Sequence, residues 1–285
     1  MHDAILVTGA NGFIGTHLVA ALKSAGYVVY THTHHGGDIA HCPLAFDGVA
    51  HVFHLAGKTY VPDSWESPLG FYHANVLGTV NVLEFCRRQH ASITFISSYV
   101  YGKPDSLPIA ENHPLRPLNP YSHTKILAEG IVGYYHSQFG VGATIVRPFN
   151  IYGSGQDQRF LIPTLIRQAL DPRVAEIVVA DLRPRRDYIH IRDFVALLLE
   201  TARRAQGGIY NAGTGHSVSI EDLARAIASL TTKPKPLRSL AQERPEEVLD
   251  VVADISRANA DLGWRPIVTL RDGLRDTIEC TESVR

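Results

Sequence analysis

The stretch Thr8-Gly9-Ala10-Asn11-Gly12-Phe13-Ile14-Gly15 decides the reading of this 285-residue chain. A short apolar run, Ala4 to Val7, precedes it. Ile14, Leu18 and Leu22 follow at helical spacing, and Gly26 closes that helix. The order is therefore strand, glycine turn, helix. Glycine lets the backbone turn sharply and come close to a diphosphate, and a helix N-terminus offers unpaired N–H groups and the positive end of its dipole. The spacing is G-x-x-G-x-x-G rather than the usual G-x-G-x-x-G of dinucleotide loops, and Gly15 has no Cβ to hold helix and strand apart.

Alternation continues outward from this loop. Tyr27 to Tyr30, His51 to Leu55, Ser92 to Ile96 and Ala143 to Val146 read as strands. A helix is expected from Leu69 to Arg88, with Val76, Val80 and Leu83 on its buried stripe, and a second from Tyr121 to Phe139. Strands alternating with helices imply a parallel sheet, because right-handed crossovers place helices on both faces. After about residue 150 the pattern loosens. Phe160 to Leu170 and Arg192 to Arg204 read as helices, Ile177 to Val179 as a short strand. Ser219 caps an amphipathic helix to Leu230, with Asp222 three residues on. Thr232 to Pro236 is an extended connector, since each proline bars helix at and before itself. The expected division is a dinucleotide-binding domain over residues 1–155 and a substrate-binding region over 156–285.

Composition narrows the function classes. Hydrophobic residues make up 45% and charged residues 19%, which suits a packed core and not a disordered chain. Lys+Arg 27 against Asp+Glu 28 lacks the basic excess of a non-specific nucleic-acid binder. No segment approaches the roughly 18 apolar residues of a membrane span. Met1-His2-Asp3-Ala4 lacks the basic start of a secretion signal. Cys42, Cys86 and Cys280 are too few and too dispersed for a disulfide framework or a zinc motif, and suit a reducing cytoplasm.

Two further constellations carry chemistry. Tyr121-Ser122-His123-Thr124-Lys125 sets Tyr121 and Lys125 on one helix face. A free phenol, with a pKa of about 10, is a weak base at neutral pH, and a neighbouring ammonium is expected to lower that value. Ser97 and Ser98 end the strand before that helix and supply hydroxyls to a reacting oxygen. A NAD-type site usually carries an acid at the end of its second strand. Here that region reads Tyr30-Thr31-His32-Thr33-His34-His35, with no acid before Asp38, so NAD and NADP both remain open. Asp38 is the candidate for the adenine side. The three histidines have no second ligand cluster, and no metal is expected.

Taken together, these features resemble the extended branch of the short-chain dehydrogenase/reductase superfamily, the branch of nucleotide-sugar epimerases, dehydratases and 4-ketoreductases. Its landmarks are matched in order by Thr8–Gly15, His54–Gly57, Asn75–Glu84, Phe95–Gly102, Tyr121–Lys125, Arg147–Gly153, Arg185–Asp193 and Ala253–Pro266. The resemblance implies an α/β fold, a Rossmann-type doubly wound parallel sheet with a smaller, interleaved C-terminal substrate-binding domain. It implies that Gly9, Gly12, Phe13, Ile14 and Gly15 hold the cofactor diphosphate, that Leu55, Ala56, Gly57 and Lys58 line the cofactor, and that Asn75 braces the strands beside it. Tyr121 would be the acid–base and Lys125 its partner on the nicotinamide ribose. Ser97 would be the catalytic hydroxyl, with Ser98 beside it on the substrate side and Phe149 near the nicotinamide. Asn150, Arg186 and Arg244 match positions that contact a sugar nucleotide.

The branch's 4,6-dehydratases carry Asp-Glu where this chain has Ser98-Tyr99, which argues against dehydration. The expectation is a C4 epimerase of a nucleotide-diphosphate sugar, with a 6-deoxy sugar as one candidate, and an NADPH-dependent 4-ketoreductase of a 4-keto-6-deoxy sugar nucleotide as the alternative. A non-catalytic sensor fits poorly with a retained Ser97, Tyr121 and Lys125. A homodimer through the helices near residues 70–88 and 121–139 is expected, with Tyr134, Tyr135 and Phe139 as the apolar surplus.

Overall fold

Five consecutive buried residues, Ala4–Thr8, form strand β1, next to the edge of the principal sheet. The computed structural model describes residues 4–204, 207–243 and 247–283. After β1 come α1 (Phe13–Ser24), β2 (Val29–His32), β3 (Val49–His54), α2 (Val61–Glu66) and α3 (Pro68–Tyr72). A π-helical turn, His73–Leu77, runs on into α4 (Gly78–Gln89). Then follow β4 (Ser92–Ile96), α5 (Pro120–Phe139), β5 (Ala143–Pro148), β6 (Asn150–Tyr152) and α6 (Leu161–Leu170). The remainder is β7 (Ile177–Val179), β8 (Arg185–His190), α7 (Ile191–Arg204), β9 (Gly208–Ala212), β10 (Ser217–Ser219), α8 (Ile220–Ser229), β11 (Leu237–Ser239), α9 (Ser256–Leu262) and α10 (Leu270–Ser283).

The principal sheet has the order β2-β1-β3-β4-β5-β9, with every neighbouring pair parallel. Its order reverses between β1 and β3, so a crevice opens at the carboxyl ends of those strands, where open α/β sheets bind ligands. Leu18 and Leu22 of α1 pack with Phe194, Leu197 and Leu198 of α7 on one side. Val82, Leu83 and Phe85 of α4 pack with Ala128 and Val132 of α5 in a second cluster. The sixth strand, β9, comes from residues 208–212, so the later part of the chain completes the sheet begun by the earlier part. A three-stranded sheet, β10-β8-β6, and a two-stranded one, β11-β7, lie outside it. No helix among the described residues is long and apolar enough to cross a membrane.

Two elements differ from the sequence expectation. The second strand begins at Val29 rather than Tyr27, because the N–H of Tyr27 still bonds Leu22 O and wraps the end of α1. Within the expected helix 69–88, Val76 and Val80 are only half-buried, whereas Asn75, Thr79, Val82 and Cys86 face inward. The π-turn widens one coil to i→i+5 bonding and shifts the phase of the residues beyond it, which a uniform 3.6 period does not anticipate. The Ser219 cap forms as expected, its Oγ accepting the Asp222 N–H at 3.0 Å.

The glycine turn is packed as tightly as its sequence implies. A Cβ on Gly15 would lie 2.3 Å from Gly9 O, and one on Gly9 would lie 2.8 Å from Ala56 N. Gly9 also has a φ of +68°, a conformation that favours glycine. Gly15→Ala must push α1 off β1. The expected result is a loss of about 1–3 kcal/mol in urea unfolding, together with weakened binding of NAD by calorimetry.

Candidate active site

The site is built from the carboxyl ends of the central strands. Gly12 caps α1 with no side-chain hydrogen bond, and the first intrahelical bond is Thr16 N to Gly12 O. The N–H groups of that first turn are thus free for a phosphate. Opposite them, Leu55 and Ala56 follow β3 with their backbone against Gly9, and the Ala56 N–H donates to Thr8 Oγ1 at 3.2 Å. A glycine cradle that a Cβ would fill, beside an uncapped helix start, fits the diphosphate of a dinucleotide such as NAD.

Asn75 sits in the π-turn, 2% exposed, and clamps two elements. Its Oδ1 accepts the Lys58 N–H at 2.8 Å, and its amide donates to Lys58 O at 3.1 Å and Thr124 Oγ1 at 2.9 Å. Helix α5 starts with a capping box, Asn119 Oδ1 accepting the Ser122 N–H. That start fixes the turn that carries Tyr121. Lys125, one turn on, is buried, and its Nζ donates to Ile96 O at 2.7 Å and lies over the Phe95 ring.

Ser98 is the hydroxyl within hydrogen-bonding reach of the Tyr121 phenol. The Ser97 Oγ is buried and has no hydrogen-bond partner among the described residues, as expected of a group reserved for a ligand. Phe149 is buried and stacks on Tyr99, ring centroids 5.1 Å apart. Tyr99 donates to Asn150 Oδ1 at 3.3 Å, and Asn150 in turn donates to Asp187 O at 3.1 Å. The Tyr99 phenol bears on the ionisation of both Tyr121 and Tyr188, and Arg186 bears on that of Tyr188. Tyr99 and Asn150 thus join the segment after β4 to β8 through side-chain hydrogen bonds. Arg186 is paired with Glu247. Asp38 is exposed, beyond the turn His34–Gly36, and accepts the Ala40 N–H at 2.9 Å. His32 is buried while His34 and His35 are exposed, and no metal-holding cluster occurs among the described residues. Arg244 lies outside the described residues.

The Tyr121 phenol is pushed up to about 12 by burial, which the Ser98 hydrogen bond only partly offsets. Lys125 does not figure among the groups that act on it; its ammonium is turned to the Ile96 carbonyl. The protein alone keeps Tyr121 protonated, because desolvation of a phenolate outweighs the nearby hydroxyl. Two buried groups also escaped the sequence reading. Glu129 lies one turn beyond Lys125 and pairs bidentately with Arg147, at 3.0 and 2.6 Å. The i+4 spacing from Lys125 was the available signal for Glu129.

Burial moves Lys125 the other way, from the ordinary 10.5 down to about 8, with Glu129 opposing the shift. The fold therefore bears the strain of a buried ammonium below pH 8 and sheds it as pH rises toward 10.5, where the unfolded chain also loses the proton. Lys125→Met is expected to melt higher than the parent at pH 7, with the gap closing between about pH 8 and 10.5 in a scanning-calorimetry series.

Known proteins resemble this chain over nearly its whole length. A model of the NAD dependent epimerase/dehydratase family matches residues 5–213. A protein named putative UDP-glucose 4-epimerase from Methanocaldococcus jannaschii is 31% identical, covering 96% of this chain and 97% of its own. The GDP-6-deoxy-D-mannose reductase of Pseudomonas aeruginosa is 28% identical, covering 99% and 98%. Among solved structures, MoeE5 in complex with UDP-glucuronic acid and NAD superposes with a TM-score of 0.89 at 30% identity, covering 99% of this chain and 100% of that one. The chain that folds around Gly9, Tyr121 and Lys125 belongs to the NAD-dependent epimerase/dehydratase family, enzymes of the extended short-chain dehydrogenase type.

Proposed function

We propose that the chain is a nucleotide-diphosphate-sugar C4 epimerase, with 6-deoxy sugar nucleotides among the candidate substrates. The observation that carries this reading is the grouping of Ser97, Ser98, Tyr121 and Lys125 beside the glycine cradle, with no carboxylic acid at 98 or 99 to eliminate water. Similarity to a putative UDP-glucose 4-epimerase supports it.

Bound NAD supplies the hydride acceptor and donor for C4 and a positive ring that favours a phenolate nearby. The cradle from Gly9 to Gly15 and the Leu55–Lys58 turn would hold it, with Lys125 as the partner for its ribose. Tyr121 takes the proton of the 4-hydroxyl, and Ser97 and Ser98 donate to the oxygen as it becomes a carbonyl. Arg186 and Asn150 keep the diphosphate anchored while the 4-keto sugar turns. Tyr121 then returns the proton to the oxygen of the inverted alcohol. Remote phosphate binding leaves the ring free to rotate, which a pocket gripping the ring would forbid. Tyr99 closes the side on which a dehydratase would carry its acid.

The alternative is an NADPH-dependent 4-ketoreductase using the same residues. It is favoured by the absence of a carboxylate at the tip of β2, where Thr33 stands with His34 and His35. Similarity to the GDP-6-deoxy-D-mannose reductase supports it. Incubation of purified protein with UDP-glucose and other 4-hydroxy sugar nucleotides, and separately with a 4-keto-6-deoxy sugar nucleotide and NADPH, separates the two. An epimerase interconverts two sugars with no net change in nicotinamide absorbance; consumption of one reduced cofactor per sugar establishes the reductase. Tyr121→Phe is expected to lower kcat by about 10²–10⁴-fold while cofactor affinity is retained, and unchanged turnover would refute the mechanism.

We also propose a cytoplasmic homodimer through α4 and α5. Leu69 (65% exposed), Leu77, Leu127, Tyr134 and Phe139 present apolar surface on and beside these helices, although Tyr135 turns inward to donate to Glu84.

A further inference from the structure

We propose that Glu247 sets substrate affinity by competing, through its own carboxylate, with the substrate's diphosphate for Arg186. The inference rests on the reading of Arg186 as the diphosphate grip. Three of the five N–H donors of the Arg186 guanidinium already go to protein acceptors, and both bonds of NH1 are taken. Its NH1 donates to the carbonyls of Arg185 and Val248, both at 2.8 Å, and its NH2 is given to Glu247 Oε1. Both side chains are largely withdrawn from water, 16% and 20% exposed.

The backbone beneath this pair is held. Arg185 N donates to Leu249 O at 2.7 Å, and Arg185 bridges Asp250 in parallel, so residues 248–250 run along β8. Val248 packs against the cluster of Tyr101, Ile109 and Phe149. Only the Glu247 side chain, with its three rotatable bonds, is free to leave. A phosphate that takes the NH2 face of Arg186 meets a carboxylate in the same place, and two anions cannot share that contact. Glu247 must swing away first, and the affinity measured is reduced by that displacement. The device favours a ligand with a full diphosphate, whose charge outcompetes one carboxylate, over weaker anions.

Calorimetric titration of UDP into the full-length protein tests this. Glu247→Gln is expected to bind UDP about tenfold more tightly than the parent, because the neutral amide surrenders the guanidinium more readily. Glu247→Asp, one methylene shorter but still charged, is expected between the two. Arg186→Met is expected to bind UDP at least about tenfold more weakly. If Arg186→Met is weakened but Glu247→Gln binds UDP no better than the parent, or worse, the competition is overturned. If Arg186→Met binds UDP unchanged, Arg186 is not the diphosphate grip and the underlying reading fails instead. Thermal melts of each variant confirm that the folded protein is being titrated.

Discussion

The clasp of Asn75 on Lys58 and Thr124 is the contact on which the site's geometry depends, and it belongs to a longer belt of buried hydrogen bonds. Asn75 O accepts from Thr79 Oγ1 at 2.6 Å, Thr79 Oγ1 meets His54 Nε2 at 3.1 Å, and His54 Nδ1 meets Thr8 Oγ1 at 2.8 Å. Thr124 Oγ1 extends the belt to the backbone oxygen of Tyr121 at 2.7 Å. The glycine loop after β1, the end of β3, the π-turn and α5 are therefore joined through side chains. Burial pushes His54 down to about 3, so its ring is neutral, with one nitrogen to donate and one to accept. Buried polar groups that are fully partnered hold a single arrangement, because any shift would leave one of them unpaired in a dry interior.

Two ion pairs in this fold show how burial separates structure from function. Glu129 and Arg147 are 6% and 3% exposed, bidentate, and further bonded through Arg147 to Tyr101 and Glu111 O. Each guanidinium nitrogen of Arg147 has a partner, and removing either residue would strand a charge. The Arg186–Glu247 pair is less buried and lies at the end of the cleft where a polyanion is expected. Its guanidinium has two carbonyl anchors that keep the group aimed, and one carboxylate that can be exchanged. The first pair supports the helix that carries Lys125; the second is the pair proposed to exchange with a ligand.

The catalytic helix also shows how the ionisation of one group is left to the complex. Tyr121 is protonated in the protein alone, and Lys125 is inclined to lose its proton. Both shifts come from the same desolvation, acting with opposite sign on an acid whose charged form is an anion and on one whose charged form is a cation. In the proposed mechanism the positive ring of an oxidised cofactor would then favour the phenolate.

Much of this was legible in the linear order of residues. The glycine loop, the alternation of strands and helices, the Tyr121–Lys125 spacing and the Ser219 cap depend on local geometry, and local geometry repeats wherever the same residues stand at the same separation. What the sequence could not show are consequences of long-range packing. The phase shift at His73–Leu77 arises because Asn75 must reach Lys58 and Thr124, residues 17 and 49 positions away in the chain. The hydrogen bond between Ser98 and Tyr121, the bond from Tyr99 to Asn150, and the pairing of Arg186 with Glu247 across 61 positions depend on which surfaces meet when the sheets close. The sequence by itself determined which groups could do chemistry and on which elements they ride. Tertiary structure alone decided their partners and their charges, because hydrogen bonding and desolvation are set by neighbours in space.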